Sequence, residues 1–287
     1  VNYRHAFHAG NFADVFKHAL LTRILVYLTK KAAPFCFIDS HAGAGAYDLA
    51  GAEASRSGEW RLGVARLKDA EPPPDVAALL APYLQALGPL DAAGRPARYP
   101  GSPALAQALL RRQDRLSLCE LHDEERAALI AAMGRDSRLS IVGLNGYVAL
   151  RAFVPPKERR GLVLIDPPYE ASDEAERVTK ALATALGKWP TGTYAHWRPI
   201  KDRREDANFL NGVAALGVAN ILALEINVGD APATADGRRP LTGCGMLVVN
   251  PPFVLAEEAR ALLPWLTNVL ARGADAGFAI RWLTPPQ

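Results

Sequence analysis

Only 3 of the 287 residues are cysteine, and Cys36, Cys119 and Cys244 stand singly in apolar stretches. No C-x-x-C spacing occurs, so neither a disulfide framework nor a cysteine zinc site is supported, and the three thiols are expected to be buried and reduced. Long hydrophobic runs are missing too: nothing approaches the roughly 18–20 uninterrupted apolar residues that a membrane span requires. The start of the sequence lacks the basic-then-apolar order of a secretory signal, which makes the cytoplasm the expected location and leaves no membrane partner. Neither sign of charge dominates. With 33 Lys and Arg against 30 Asp and Glu, a net charge of +3, contact with a phosphate backbone is permitted but a histone-like polycation is excluded. Four basic clusters offer footholds on an anionic polymer: Arg111, Arg112 and Arg115; Lys157, Arg159 and Arg160; Lys201, Arg203 and Arg204; Arg238 and Arg239. Their plain alternative is solvated surface.

Histidine is scarce as well, yet three of the six fall in the opening VNYRHAFHAGNFADVFKH. Asn11 can cap a helix in which Phe12, Val15, Phe16, Ala19 and Leu20 recur at helical spacing, and Pro34 ends it. On that helix Asp14, Lys17 and His18 are spaced i, i+3, i+4 and share a face. A metal site would draw on His5, His8, Asp14 and His18. No H-E-x-x-H spacing supports it, so no metal is expected. Asp14 could instead serve only the helix dipole.

Short apolar runs, each closing on polar residues, follow at FCFIDS (35–40), RLSLCELH (115–122), LSIVGLNG (139–146), GLVLIDPPY (161–169), GTYAHWRP (192–199), NILALEINV (220–228) and GMLVVNPP (245–252). Helix-like stretches such as DEERAALIAAM and DEAERVTKALATALGKW separate several of them. The pattern is α/β with a mainly parallel, seven-stranded sheet, and FAIRWL near the end is a candidate further strand. The whole chain, 1–287, is expected to form one domain. Residues 51–99 interrupt the rhythm and read as a small helical insertion subdomain.

Two strand ends carry the chemistry. In LIDPPYE, four apolar residues deliver Asp166 to a strand's carboxyl end, where open α/β sheets bind ligands, and two prolines hold the following turn. An exocyclic amine on an aromatic ring suits this arrangement. Asp166 and the Pro167 carbonyl accept its two N–H bonds, and Tyr169 stacks on the ring. A strand-terminating turn with a buried tyrosine is the alternative. In IDSHAGAGAY the glycines Gly43 and Gly45 let backbone approach a ligand closely. The dinucleotide pattern G-x-G-x-x-G fails there, because Asp48 occupies its last position. A shorter G-x-G after an acidic strand end is the form an adenosyl-methionine loop takes; a tight turn is the competing reading. Glu120, at the second strand's tip, can accept from ribose hydroxyls, and Asn145-Gly146, at the third, can meet an adenine amino group. NPPF at 250–253 repeats the amine-binding pattern but comes too late in the strand order and reads as structural. His122 and His196 are assigned no role.

The order of these elements resembles a class I S-adenosyl-L-methionine-dependent, Rossmann-like amino-methyltransferase. More narrowly, YRHAFHAGNFADVFKH (3–18), DSHAGAGAY, YPGSP and IDPPYE resemble the RlmJ family, bacterial 23S ribosomal RNA adenine-N6 methyltransferases, over residues 2 to the final strand. The resemblance implies S-adenosyl-L-methionine as cofactor and 23S ribosomal RNA as partner of a monomeric enzyme. It also implies a cofactor pocket lined by Lys17, His18, His41, Gly43, Ser102, Glu120, Asn145, Gly146 and Asp166. Asp166, Pro167, Tyr169 and Lys17 would be catalytic. Tyr3, His5 and Tyr169 would contact the substrate RNA, with residues 1–18 folding over the active site. DPPY alone is shared with DNA adenine-N6 methyltransferases, the alternative function, and an RNA-binding module that has lost catalysis is a third. One departure from the family pattern is Asn145, which stands where an aspartate is expected. An amide oxygen still accepts a hydrogen bond, so weaker cofactor affinity at most is expected.

Overall fold

A computed structural model describes residues 4–230 and 240–285. Eight strands form the main sheet: β1 Cys36–Asp39, β2 Arg115–Cys119, β3 Leu139–Val142, β4 Gly161–Ile165, β5 Thr193–Pro199, β6 Ile221–Asn227, β7 Gly243–Val249 and β8 Gly277–Thr284. Their spatial order is β8-β6-β7-β5-β4-β1-β2-β3. The five from β3 to β5 are mutually parallel. β7 runs antiparallel between β5 and β6, and β8 lies antiparallel on the β6 edge. All seven expected strands form, and FAIRWL belongs to the eighth.

The central strands are buried on both faces, which is why they read as unbroken apolar runs. Alternation decides which face each residue serves. Phe37, Leu116, Leu118, Leu162 and Leu164 point to one core. Cys36, Ile38, Val163 and Ile165 point to the other. The first core is covered by α1 (Phe12–Thr29), α3 (Pro74–Leu87), α4 (Ser102–Leu109) and α9 (Leu255–Leu270), after the short α2 (Ala52–Ser57). α5 (Asp123–Met133) sends Leu129 and Met133 into the same core. The second is covered by α6 (Gly146–Phe153), α7 (Glu174–Lys188) and α8 (Arg203–Ala214).

α1 carries no single apolar stripe: its polar residues Asp14, Lys17, His18, Thr22 and Arg23 are buried with the apolar ones. Each buried polar group therefore needs a partner. Arg23 forks onto Glu258 of α9 at 2.8 and 2.9 Å and donates to the Leu79 carbonyl of α3. The Thr22 hydroxyl donates to the His18 carbonyl. Within residues 51–99, Trp60, Val64, Leu67, Val76, Leu80 and Tyr83 pack into the α1 core. The two-residue strands Ala46–Tyr47 and Tyr99–Pro100 pair antiparallel across the base of that stretch.

Several arginines offered as phosphate footholds are instead fasteners at the sheet's far edge, where the parallel strands begin. Arg111 clasps Asp114 and donates to the carbonyls of Thr29, Lys31 and Ala33. Arg160 donates to the Leu28 and Ala33 carbonyls, and Arg115 to that of Ser137. Arg203, which follows the carboxyl end of β5 and so lies toward the opposite edge, pairs with Glu225. Arg238 and Arg239 lie outside the described residues. Because β7 is antiparallel, NPPF too ends at that far edge, where the Asn250 amide donates to the Pro190 and Gly192 carbonyls.

Candidate active site

Parallel pairing brings the strand tips together. Asp39 lies opposite Leu118 of β2 and Leu164 of β4. Glu120 and Asp166 therefore each stand two residues beyond it, on strands spaced roughly 4.8 Å apart. Asn145 follows β3 at the same edge, and His196 pairs with Ile165 from β5.

The opening segment docks onto this edge through one ion cluster. The Lys17 ammonium lies 2.6 Å from Asp166 Oδ2 and 2.9 Å from Asp14 Oδ1. Asp14 Oδ2 in turn accepts from the Gly10 N–H and meets His5 Nε2, both at 2.9 Å. The Asn11 side chain caps α1 by accepting from the Asp14 N–H. Burial alone would push Asp14 up; the charges of His5 and Lys17 overcome it and hold the carboxyl well below its usual range. Burial likewise opposes the Lys17 charge, and Asp14 and Asp166 reverse that to keep the ammonium well above its usual range. His5 sits 5.0 Å from the Tyr47 ring. His8 bonds Glu59 and His18 bonds Tyr99, so these side chains turn to separate partners; among the described residues no three His, Cys, Asp or Glu cluster as metal ligands. Tyr3 lies outside the described residues.

After β1 the backbone turns sharply, with Gly43 at φ +59°, where an added Cβ would strike the Tyr47 hydroxyl at 2.4 Å. The Gly43 N–H donates to Glu120 Oε2, and the His122 N–H to Oε1, both at 2.8 Å. The Glu120 carboxylate is thus oriented by backbone on both oxygens, each of which keeps a lone pair for a further donor. Ser102, at the start of α4, donates to Asp39 Oδ2 at 2.6 Å, and the His41 N–H to Asp39 Oδ1. Gly146 is pressed against this loop; a Cβ there would lie 2.3 Å from the Ser40 carbonyl oxygen and 2.7 Å from the His41 ring. The Asn145 oxygen is not simply free for a ligand: it caps α6, accepting from the Tyr147 N–H at 3.0 Å. Asparagine and aspartate cap about equally well, so the departure from the expected carboxylate leaves this turn supported.

Burial drives the remaining charges. The His18 imidazole is pushed down to about 3 and that of His41 to about 4, chiefly by desolvation. His18 Nε2 is buried with no partner among the described residues. Desolvation pushes Asp39 up to about 7; the nearby Asp166 charge adds to this, against the bonds from Ser102 and His41. The sign is definite: the unfolded chain gives up this proton near 3.8 and the native state near 7, so Asp39's contribution is full below 3.8 and declines as pH rises toward 7. Asp39→Asn is expected to remove that decline. Urea unfolding should show the variant gaining on the order of 2–4 kcal/mol over the parent at pH 8, and progressively less toward pH 4. An equal difference at both pH values would contradict it.

The DPPY turn ends on Tyr169 at φ +51°. Its hydroxyl lies 2.7 Å from Nε2 of His196, a residue that sequence reasoning set aside; nothing local distinguishes it from a core histidine. Asp166 Oδ1 carries no hydrogen bond among the described residues, Oδ2 being taken by Lys17. One edge thus holds a carboxylate with an open oxygen, a fixed tyrosine and a glycine loop against an oriented glutamate. The family model described as ribosomal RNA large subunit methyltransferase D, RlmJ, matches residues 32–284. The chain belongs to the RlmJ family. Members named ribosomal RNA large subunit methyltransferase J from Escherichia coli and Haemophilus influenzae are 37% and 38% identical to it, with 99% of both chains covered in each case. A crystal structure of a Legionella pneumophila protein, 32% identical, superposes with a TM-score of 0.85 over 96% of this chain and 98% of that one. This RlmJ-family member is accordingly a methyltransferase of class I, Rossmann-like fold. No helix among its described residues is long and apolar enough to cross a membrane.

Proposed function

We propose that this methyltransferase transfers the methyl group of S-adenosyl-L-methionine to the exocyclic N6 of a specific adenine in 23S ribosomal RNA. The observation that carries the reading is Asp166: its Oδ2 is held by Lys17 while Oδ1 faces no described partner, directly before two prolines and an anchored tyrosine. Two N–H groups need two acceptors, and Asp166 Oδ1 with the Pro167 carbonyl provides them.

The residues present fit the cofactor. The Gly43 turn admits close approach of a ligand to backbone, Glu120 presents fixed oxygens suited to paired hydroxyls, and His18 Nε2 is a buried polar atom that lacks a partner among the described residues. Lys17, His18, His41, Ser102, Glu120, Asn145 and Gly146 would surround it. When bound, it supplies an electrophilic methyl on a sulfonium. The chain's part is to take the adenine out of its stack, lay it on Tyr169 and hold N6 in line. Asp166 Oδ1 and the Pro167 carbonyl draw on the two N–H bonds, which concentrates electron density on nitrogen as it becomes tetrahedral. The proton released after transfer would pass to Asp166 Oδ1, because the carboxylate, unlike the Pro167 carbonyl, can take it up. His5 and Lys17, tied through Asp14, close the site from the α1 side, and the names of the family's members support ribosomal RNA as the substrate.

Nucleoside mass spectrometry decides the matter. Incubation with cofactor should place N6-methyladenosine in protein-free 23S ribosomal RNA and none in duplex DNA. Methylation of the DNA alone would establish a DNA adenine enzyme. Salt-sensitive RNA binding without methylation, and without heat on cofactor titration, would establish a binding module.

A further inference from the structure

His196 is nearly sealed from solvent, 1% exposed on β5. Its Nδ1 lies 3.0 Å from the Ile165 carbonyl oxygen. A carbonyl only accepts, so Nδ1 bears the proton and Nε2 is left with a lone pair. The Tyr169 hydroxyl, 2.7 Å away, donates to it. One imidazole thus links the backbone just before Asp166 to the side chain that follows the second proline. The two rings are inclined by 24° with centroids 6.0 Å apart. Phe209 of α8 closes on His196 edgewise at 5.3 Å, and Trp197 meets the Tyr169 ring at 6.3 Å. Tyr169 needs such a hold, because φ +51° is a conformation that a bulky residue keeps only when its surroundings over-determine it.

We propose that His196 is a positioning residue for methyl transfer: by clamping the Tyr169 hydroxyl to the Ile165 carbonyl, it fixes the tyrosine ring as the platform for the target adenine. The inference rests on the proposed function, since it takes that base to stack on Tyr169. His196 itself touches neither base nor cofactor. The clamp keeps one protonation state across the working range. Burial, and then the Arg198 and His41 charges, push the imidazole down to about 3 against the opposing Ile165 bond, and burial keeps the phenol above its usual range.

The test is a double-mutant cycle on methylation of protein-free 23S ribosomal RNA, with active enzyme counted by stoichiometric cofactor binding. His196→Ala and Tyr169→Phe should each lower kcat about tenfold, the worth of one good hydrogen bond, while KM for RNA and Kd for cofactor move less than about threefold. The double variant should be no slower than the slower single one, because both remove the same bond. His196→Gln, whose amide oxygen reaches the Nε2 position, should recover most of the rate. His196→Asn reaches only the Nδ1 position and should not. Losses that multiply in the double variant, or rescue by Asn as good as by Gln, would overturn the clamp and leave His196 a packing residue. Should His196→Ala fold poorly, the comparison of Gln with Asn decides alone. If the parent enzyme leaves 23S adenine unmethylated, it is the proposed function that fails; if the parent methylates and the losses multiply, only the clamp does.

Discussion

Asp166→Ala is expected to slow methyl transfer by about 10³-fold or more while changing cofactor affinity less than about fivefold. A preorganised hydrogen-bonding group at the reacting atom contributes about 10²–10³ in rate, and a positioned proton acceptor about 10²–10⁴, with overlap because one carboxylate does both. Cofactor affinity is expected to survive because Gly43, Glu120 and Asn145 are carried by β1, β2 and β3, not by β4. Asp166→Asn should fall between the two, since it keeps an acceptor oxygen but loses the charge that draws Lys17 to 2.6 Å. Single-turnover methylation and calorimetric cofactor titration measure the two quantities separately. An alanine variant within tenfold of the parent would remove Asp166 from the reaction.

Lys17→Met should carry the largest stability penalty among single changes at the site. Lys17 is 5% exposed, and its ammonium is shared by two carboxylates that are themselves largely buried. Removing it leaves Asp14 and Asp166 without their common cation, and breaking a buried pair in this way costs about 3–5 kcal/mol. For a chain of this size the melting temperature is expected to drop by roughly 10 °C. Adding Asp14→Asn relieves part of the uncompensated charge and should restore some of the melting temperature. It should not restore turnover, because Asp166 would still lack the ammonium that occupies Oδ2. Thermal melts of the two variants, with turnover measured on the same samples, test this. A single variant that melts with the parent would show that the cluster contributes no net stability.

The strands were legible because both faces of a central parallel sheet are buried, so FCFID and GLVLID read as apolar runs whatever surrounds them. The DPPY turn was legible for a similar reason: two prolines restrict their own backbone with no help from outside. His196 was not legible, since its partners, Tyr169 and the Ile165 carbonyl, reach it only through the pairing of β4 with β5. Nor was the fastening role of Arg111 and Arg160, whose carbonyl acceptors at residues 28–33 come from the end of α1 and the turn after it. Asn145 had the right place at the tip of β3, but its oxygen also serves the helix behind it.

By itself, then, the sequence determined which segments become strands, the rigid turn after Asp166, the glycine loop after β1 and the cap at Asn11, because each depends on neighbouring residues and backbone geometry. The tertiary structure alone decided that Lys17, 149 positions away in sequence, bridges Asp14 to Asp166, that β7 runs backward and carries NPPF to the far edge, and that His196 secures Tyr169. These are meetings between charges and hydrogen-bonding groups distant along the chain, and their strength exists only once packing has excluded water from between them.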